Sequence, residues 1–164
     1  MTLRIPSLPF GMIALGALAL SAAAPLHAQY RQTIGNNMAA CRGNGPAVLV
    51  TVDGVKASKG RIRVQSYRAN AADWLKKGRW INRIDAAARA GTMTFCVPVP
   101  SGGSYGIAVR HDLDGDGETD LSSDGGGMSN NPSINIFNLG KPSHTKTAFS
   151  VDGVKSIRIH MRYM

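Results

Sequence analysis

The chain has 164 residues, 43% of them hydrophobic and 18% charged, which places it among folded globular proteins rather than disordered chains. Its formal net charge is +9, and two cysteines are too few for a disulfide-dense miniature scaffold.

Arg4 precedes a near-continuous apolar run from Met12 to Ala24, and Ala28 closes the segment behind the small residues Ala22 to Ala24. That layout predicts a secretory signal peptide over 1–28 and a periplasmic or secreted chain starting at Gln29. The run is too short and too lightly flanked for a stable membrane span, and no later stretch is apolar for long enough. Removing 28 of 164 residues leaves 136, enough for one domain with one core. Without Arg4 the 19 Lys and Arg become 18, against 10 Asp and Glu. Six of the ten acids fall between Asp112 and Asp124, where Arg110 is the one neighbouring base. The body is therefore cationic and a single loop is strongly anionic.

Residues 29–45 read as polar, irregular and loosely held until Cys41 ties them down. In an exported chain, Cys41 and Cys96 are expected to form a disulfide rather than to remain free thiols, since an oxidising compartment would pair them. From Pro46 to Val55, Val48, Val50 and Val52 share one face, and Asp53-Gly54 signals a turn. A second strand over Gly60–Arg68 places Ile62 and Val64 inward and Arg61, Arg63 and Gln65 outward, and the spacing predicts a hairpin between the two. The period changes over Asn70–Arg89, where Trp74, Leu75, Trp80, Ile81 and Ile84 recur near helical spacing. Asn70 is a candidate cap and Gly78 an interruption, so a short helical insert in one or two pieces is expected. Its tryptophans would pack it across one end of the sheet.

Strand signals resume over Thr92–Val99, with Met93, Phe95, Val97 and Val99 inward and Cys96 facing the other way. Tyr105, Ile107, Val109 and His111 form the inward row of the next strand, with Tyr105 at the core edge. After the acidic stretch come the apolar Ile134, Ile136 and Phe137. A strand follows over Thr145–Val151 with Thr147, Phe149 and Val151 inward. In the last strand Ile157, Ile159, Met161 and Tyr163 oppose Ser156, Arg158, His160 and Arg162. The pentapeptide Val-Asp-Gly-Val-Lys occurs at 52–56 and 151–155, and both copies read as hairpin turns. Six or seven short strands between turn signals predict a small antiparallel β-sandwich over 46–164.

The acidic loop carries the one chemical signal. Asp112, Asp114 and Asp116 alternate, Gly117 allows a sharp bend, Glu118 supplies a backbone carbonyl and Asp120 a further carboxylate. Taken from Asp112, these occupy positions 1, 3, 5, 6, 7 and 9 of a calcium loop of the EF-hand type. Position 12 is Ser123 instead of Glu, Asp124 stands one residue late, and no helices flank the loop, so weak calcium binding between strands is expected. A plain Asp- and Gly-rich surface turn is the competing reading. Six carboxylates within thirteen residues repel one another unless a cation or basic side chains offset them, which favours the ion.

Gly103-x-Tyr105-x-Ile107-x-Val109-x-His111-Asp112-x-Asp114-Gly115-Asp116-Gly117, followed by Gly127-x-Ser129-Asn130-Asn131, resembles an exported bacterial family, domain of unknown function 2141. The resemblance runs from about Ala47 to the C-terminus and implies an immunoglobulin-like or prealbumin-like sandwich, with no activity attached. Members usually carry a Gly-x-Pro-x-Glu-Gly-x-Gly-Phe-Ser-like run where this chain reads Leu121 to Ser129 without the Pro, the Glu or the aromatic residue. Asp124 is the only candidate replacement for that Glu.

Three functions compete. The leading one is a non-catalytic exported binding or interaction module of the envelope, shaped by calcium at Asp112, Asp114, Asp116, Glu118, Asp120 and Asp124. Its partner would be an anionic envelope component or another exported protein. The second is a cationic surface binder of anionic lipid or polysaccharide through Arg61, Arg63, Lys76, Lys77, Arg79, Arg158 and Arg162. An exported address argues against nucleic acid. The third, a hydrolase using a loop-bound metal and His111, ranks last, because neither nucleophile nor oxyanion donors can be named. His111 reads better as a support for the loop's first turn, and no spacing joins it to His144 or His160.

Overall fold

In the computed structural model, residues 30–120, 122–135 and 138–163 are described. The expected signal peptide, Ile136 and Phe137 lie outside them. Among the described residues ten strands and two short helical turns occur: β1 (Gln32–Thr33), a 3-10 turn (Met38–Arg42), β2 (Ala47–Val55), β3 (Arg61–Arg68), β4 (Asn82–Ala87), β5 (Gly91–Pro98), β6 (Gly103–Asp112), β7 (Gly125–Met128), α1 (His144–Thr147), β8 (Phe149–Val151), β9 (Val154–His160) and β10 (Arg162–Tyr163). One sheet runs β1-β4-β3-β6-β7-β10, with β8 also pairing β6; the other runs β5-β2-β9. Alternation along each strand sends one row of side chains into the space between the sheets. Val48, Val50, Val52, Phe95, Val97 and Ile159 from the smaller sheet meet Ile62, Val64, Ile84, Tyr105, Ile107 and Val109 from the larger in one core. The chain is an all-β sandwich, with more strands than the six or seven expected and with β9 parallel to β2 where only antiparallel pairs were expected.

The differences from expectation lie in pairing. β2 and β3 do not form a hairpin, because β2 pairs β5 and β9 whereas β3 pairs β4 and β6. Each strand is central to its own sheet, so the link at 56–60 crosses from one sheet to the other. The two Val-Asp-Gly-Val-Lys copies are not hairpin turns either. Gly54 (φ 75°) sits in a register shift of β2 between Val52 and Val55, and Gly153 (φ 73°) carries the chain from β8 in the larger sheet to β9 in the smaller. The last strand likewise divides at Met161, between β9 and β10.

The helical insert is a correction as well. Asn70 does cap one turn, its side-chain oxygen accepting from the N–H groups of Ala72 and Asp73. Leu75 (φ 54°) and Gly78 (φ 73°) then turn left-handed and stop it. Asn82–Ala87 is strand β4, since Ile84 pairs with Val64 in the core while Asp85 faces outward between Arg63 and Arg83 at 2.8 and 2.6 Å. Burial of Ile84 and closure of that ion-pair triplet outweigh a helical periodicity that is weak over so few residues. Thr145–Thr147 is part of α1 rather than a strand, with Thr147 buried all the same.

Residues 30–45 are more ordered than expected: β1 adds in parallel to β4, and Asn36 caps the edge of β5 by donating to Thr94 O and accepting from Cys96 N. The Cys41–Cys96 disulfide is formed, with Cα atoms 5.8 Å apart. Trp74 lies on the outer face of the larger sheet beside Tyr67 and Met128 and donates its indole N–H to Pro142 O at 2.8 Å. The guanidinium groups of Arg31 and Arg83 each lie 5.7 Å from the centre of the Trp80 ring. No described helix is long and apolar enough to cross a membrane.

Candidate metal centre

β6 delivers His111 and Asp112 to the mouth of the acidic loop, both almost wholly buried. A carbonyl can only accept, so the His111 Nε2 proton goes to Lys59 O at 2.8 Å. Nδ1 then accepts from the Tyr163 hydroxyl at 2.7 Å, and that oxygen accepts the Lys56 N–H at 2.9 Å. Both ring nitrogens of His111 and the Tyr163 hydroxyl are thereby satisfied. Burial raises the Tyr163 pKa above the usual phenol value, against the lowering effect of the Lys56 N–H. His111 therefore braces the link between β2 and β3 against the loop. A glycine is required opposite it: at Gly60 (φ 71°) an added Cβ would lie 1.9 Å from Asp112 O.

Within the loop, each aspartate curls the backbone onto its own carboxylate. Asp112 accepts from Gly115 N at 2.9 Å and Gly117 N at 3.1 Å, Asp114 from Asp116 N at 3.3 Å, and Asp116 from Glu118 N at 2.7 Å. Gly115 and Gly117 both take positive φ, which this winding needs. The consequence is convergence: one carboxylate oxygen each from Asp112, Asp114 and Asp116 lies within 4.8 Å of the others. Glu118, Asp120 and Asp124 are not in that group. Asp124 instead ties the base of the loop, accepting from Leu113 N at 3.0 Å and Asp120 N at 3.2 Å.

Arg110 is the residue that sequence reasoning undervalued. It shares the outward face of β6 with Asp112, and its guanidinium enters the loop. It donates to Gly117 O at 2.8 Å, Thr119 Oγ1 at 2.7 Å, Asp112 at 3.3 Å and the Glu118 carbonyl. Side chains two apart on a strand point the same way, so the pair was legible in the parity of Arg110 and Asp112. Part of the carboxylate repulsion is thus offset from within, and the carbonyl expected to face a cation faces a guanidinium.

The second sequence element, Ser129-Asn130-Asn131, joins separate parts of the chain. Ser129 Oγ accepts from Ile107 N at 3.0 Å and donates to Thr147 O at 2.6 Å. Asn130 donates to Ala148 O at 2.8 Å, and Asn131 bridges Arg158 O at 3.0 Å and His160 N at 2.8 Å. Both asparagines are left-handed (φ 63° and 48°), a conformation in which Asn is enriched among non-glycine residues. A family profile described as "Uncharacterized protein conserved in bacteria", DUF2141, matches residues 50–158. The chain belongs to the DUF2141 family. No curated protein and no solved structure matches it significantly. In this DUF2141 chain the two elements have distinct jobs: His111 to Gly117 builds the loop, and Ser129 to Asn131 braces the sandwich beside it.

The remaining basic residues are divided between the two sheets, and several are already ion-paired. Arg63 and Arg79 are ion-paired to Asp85 and Asp73, and Arg158 to Asp53. Arg61, Arg63 and Arg162 belong to the larger sheet, and Arg158 to the smaller. His160 lies 3.6 Å from Asp53, far along the chain from the loop, and the converging group contains no histidine.

Proposed function

We propose that this chain is an exported, non-catalytic β-sandwich module of the bacterial envelope whose acidic loop binds calcium weakly. The observation that carries the reading is the convergence of Asp112, Asp114 and Asp116 within 4.8 Å on a loop wound by two glycines. Hard cations take several oxygen ligands of which some are charged, and three carboxylates with water meet that need. The fit is incomplete at the seventh position, where Glu118 O accepts from Arg110, and at the twelfth, which offers no bidentate carboxylate. Both features lower affinity rather than change the ion. The disulfide supports an oxidising, extracytoplasmic compartment.

Calorimetric titration of the chain from Gln29 onward tests the reading. Calcium is expected to release heat and raise the melting temperature, and the double variant Asp114→Asn, Asp116→Asn to lose both effects while remaining folded. Absence of heat and of any melting shift at millimolar calcium would overturn it.

A further inference from the structure

Paired residues across the larger sheet align in rows on its outer face. Gln65, Ala108 and Met128 form one row, and Arg63, Arg110, Gly126 and Arg162 the next. Over these rows lies a cavity of about 560 Å³, walled on one side by Thr119 and Asp120 of the acidic loop and on the other by Ile134 and Lys141. That volume is in the range that holds small organic ligands. Leu75, Ala108, Met128 and Ile134 make its apolar surface, while Lys141 and Arg162 add two cations. Neither cation is ion-paired to a carboxylate among the described residues, unlike Arg63, Arg79, Arg83, Arg110 and Arg158. Asp120 and Asp124 also line the cavity, the latter accepting from two backbone N–H groups, so the end at these carboxylates disfavours an anion and the end at Lys141 and Arg162 favours one.

Among the three glycines of β7, Gly126 marks the cavity as built rather than incidental. Gly125 and Gly127 have no room for a side chain: a Cβ would meet the Tyr163 ring at 2.3 Å and Ile159 at 2.6 Å. Gly126, between them, faces the other way. A Cβ there would meet nothing within 4 Å, and its φ is ordinary, so neither packing nor backbone conformation calls for glycine. What the missing side chain does is keep the cavity floor open between Arg110 and Arg162.

We propose that this cavity binds one small amphipathic monocarboxylate, its apolar body on Leu75, Ala108, Met128 and Ile134 and its carboxylate at Lys141 and Arg162. The inference does not rest on calcium binding, and measurements in chelator and in calcium keep the two separable. Decanoate and phenylbutanoate are the probes, with decanol and decylamine as neutral and cationic controls, read by calorimetry and melting temperature. Decanoate is expected to bind and to stabilise, with both controls at least about tenfold weaker. Gly126→Leu fills the cavity and is expected to abolish binding with little change in melting. Lys141→Glu, on an exposed loop position, is expected to remove the preference for decanoate over decanol. The proposal is overturned if neither carboxylate binds at millimolar concentration, if decylamine binds as well as decanoate, or if a folded Gly126→Leu still binds. Should Gly126→Leu fail to fold, an unchanged decanoate preference in Lys141→Glu overturns it independently.

Discussion

Replacing Arg110 by Gln separates the internal cation of the loop from any external one, because the two effects have opposite signs. The guanidinium holds Gly117 O, Glu118 O, Thr119 and Asp112, and with 15% of its side chain exposed it is only partly screened. Losing these contacts is expected to lower calcium-free stability by about 1–2 kcal/mol. For a domain of this size that is a melting shift of roughly 3–8 °C. Calcium affinity should move the other way. An ion held by Asp112 Oδ2 at about 2.4 Å lies within about 6 Å of a guanidinium nitrogen that is itself 3.3 Å from that oxygen. Even at the dielectric constant of water, a divalent and a monovalent cation at that separation repel by ~1.4 kcal/mol, about tenfold in affinity. Freeing the Glu118 carbonyl adds a ligand in the same direction. Scanning calorimetry in chelator and calcium titration of Arg110→Gln measure both quantities. A variant as stable as the parent that binds calcium no more tightly would refute the idea that Arg110 stands in for the cation.

Gly60→Ala is expected to cost more than about 3 kcal/mol, because its Cβ would overlap Asp112 O at a positive φ; an unchanged denaturant midpoint would contradict this. Cys41→Ser opens a long covalent loop and is expected to lower unfolding free energy by about 4 kcal/mol in the chain-entropy picture, with the β-rich circular dichroism spectrum retained. Stability should also fall on acidification. Burial raises the Asp85 pKa, but the hydrogen bonds and charges of Arg63 and Arg83 outweigh it and leave the carboxyl below its ordinary 3.8. Its contribution is therefore present above that value and lost as pH drops through it towards the folded-state pKa. Urea midpoints between neutral pH and about pH 3 are expected to decline, and Asp85→Asn to start lower and decline less steeply.

Much of the interior was legible in the sequence, because side-chain parity along a strand is a local property. Val48, Val50 and Val52, and likewise Ile107, Val109 and His111, are buried on the face their alternation assigns. The acidic loop was legible for the same reason: three alternating aspartates, with Gly115 between the last two and Gly117 after them, wind onto their own carboxylates where the strand ends. The Asn82–Ala87 strand was not, because short apolar spacings fit a helix or a strand equally well until Ile84 finds Val64. Arg110 was visible as the one neighbouring base, but its grip on the loop was not, because that depends on Glu118 and Thr119 folding back over it.

Sequence alone determined which face of most strands points inward, where several turns fall, and where negative charge accumulates. Only the tertiary structure decided which strands pair. Two identical pentapeptides show the division: each puts its glycine at positive φ, yet one makes a bulge within a strand and the other a crossing between sheets. The pentapeptide sets the backbone torsions, whereas the partner is chosen by burial of distant side chains, and no stretch of five residues contains that information.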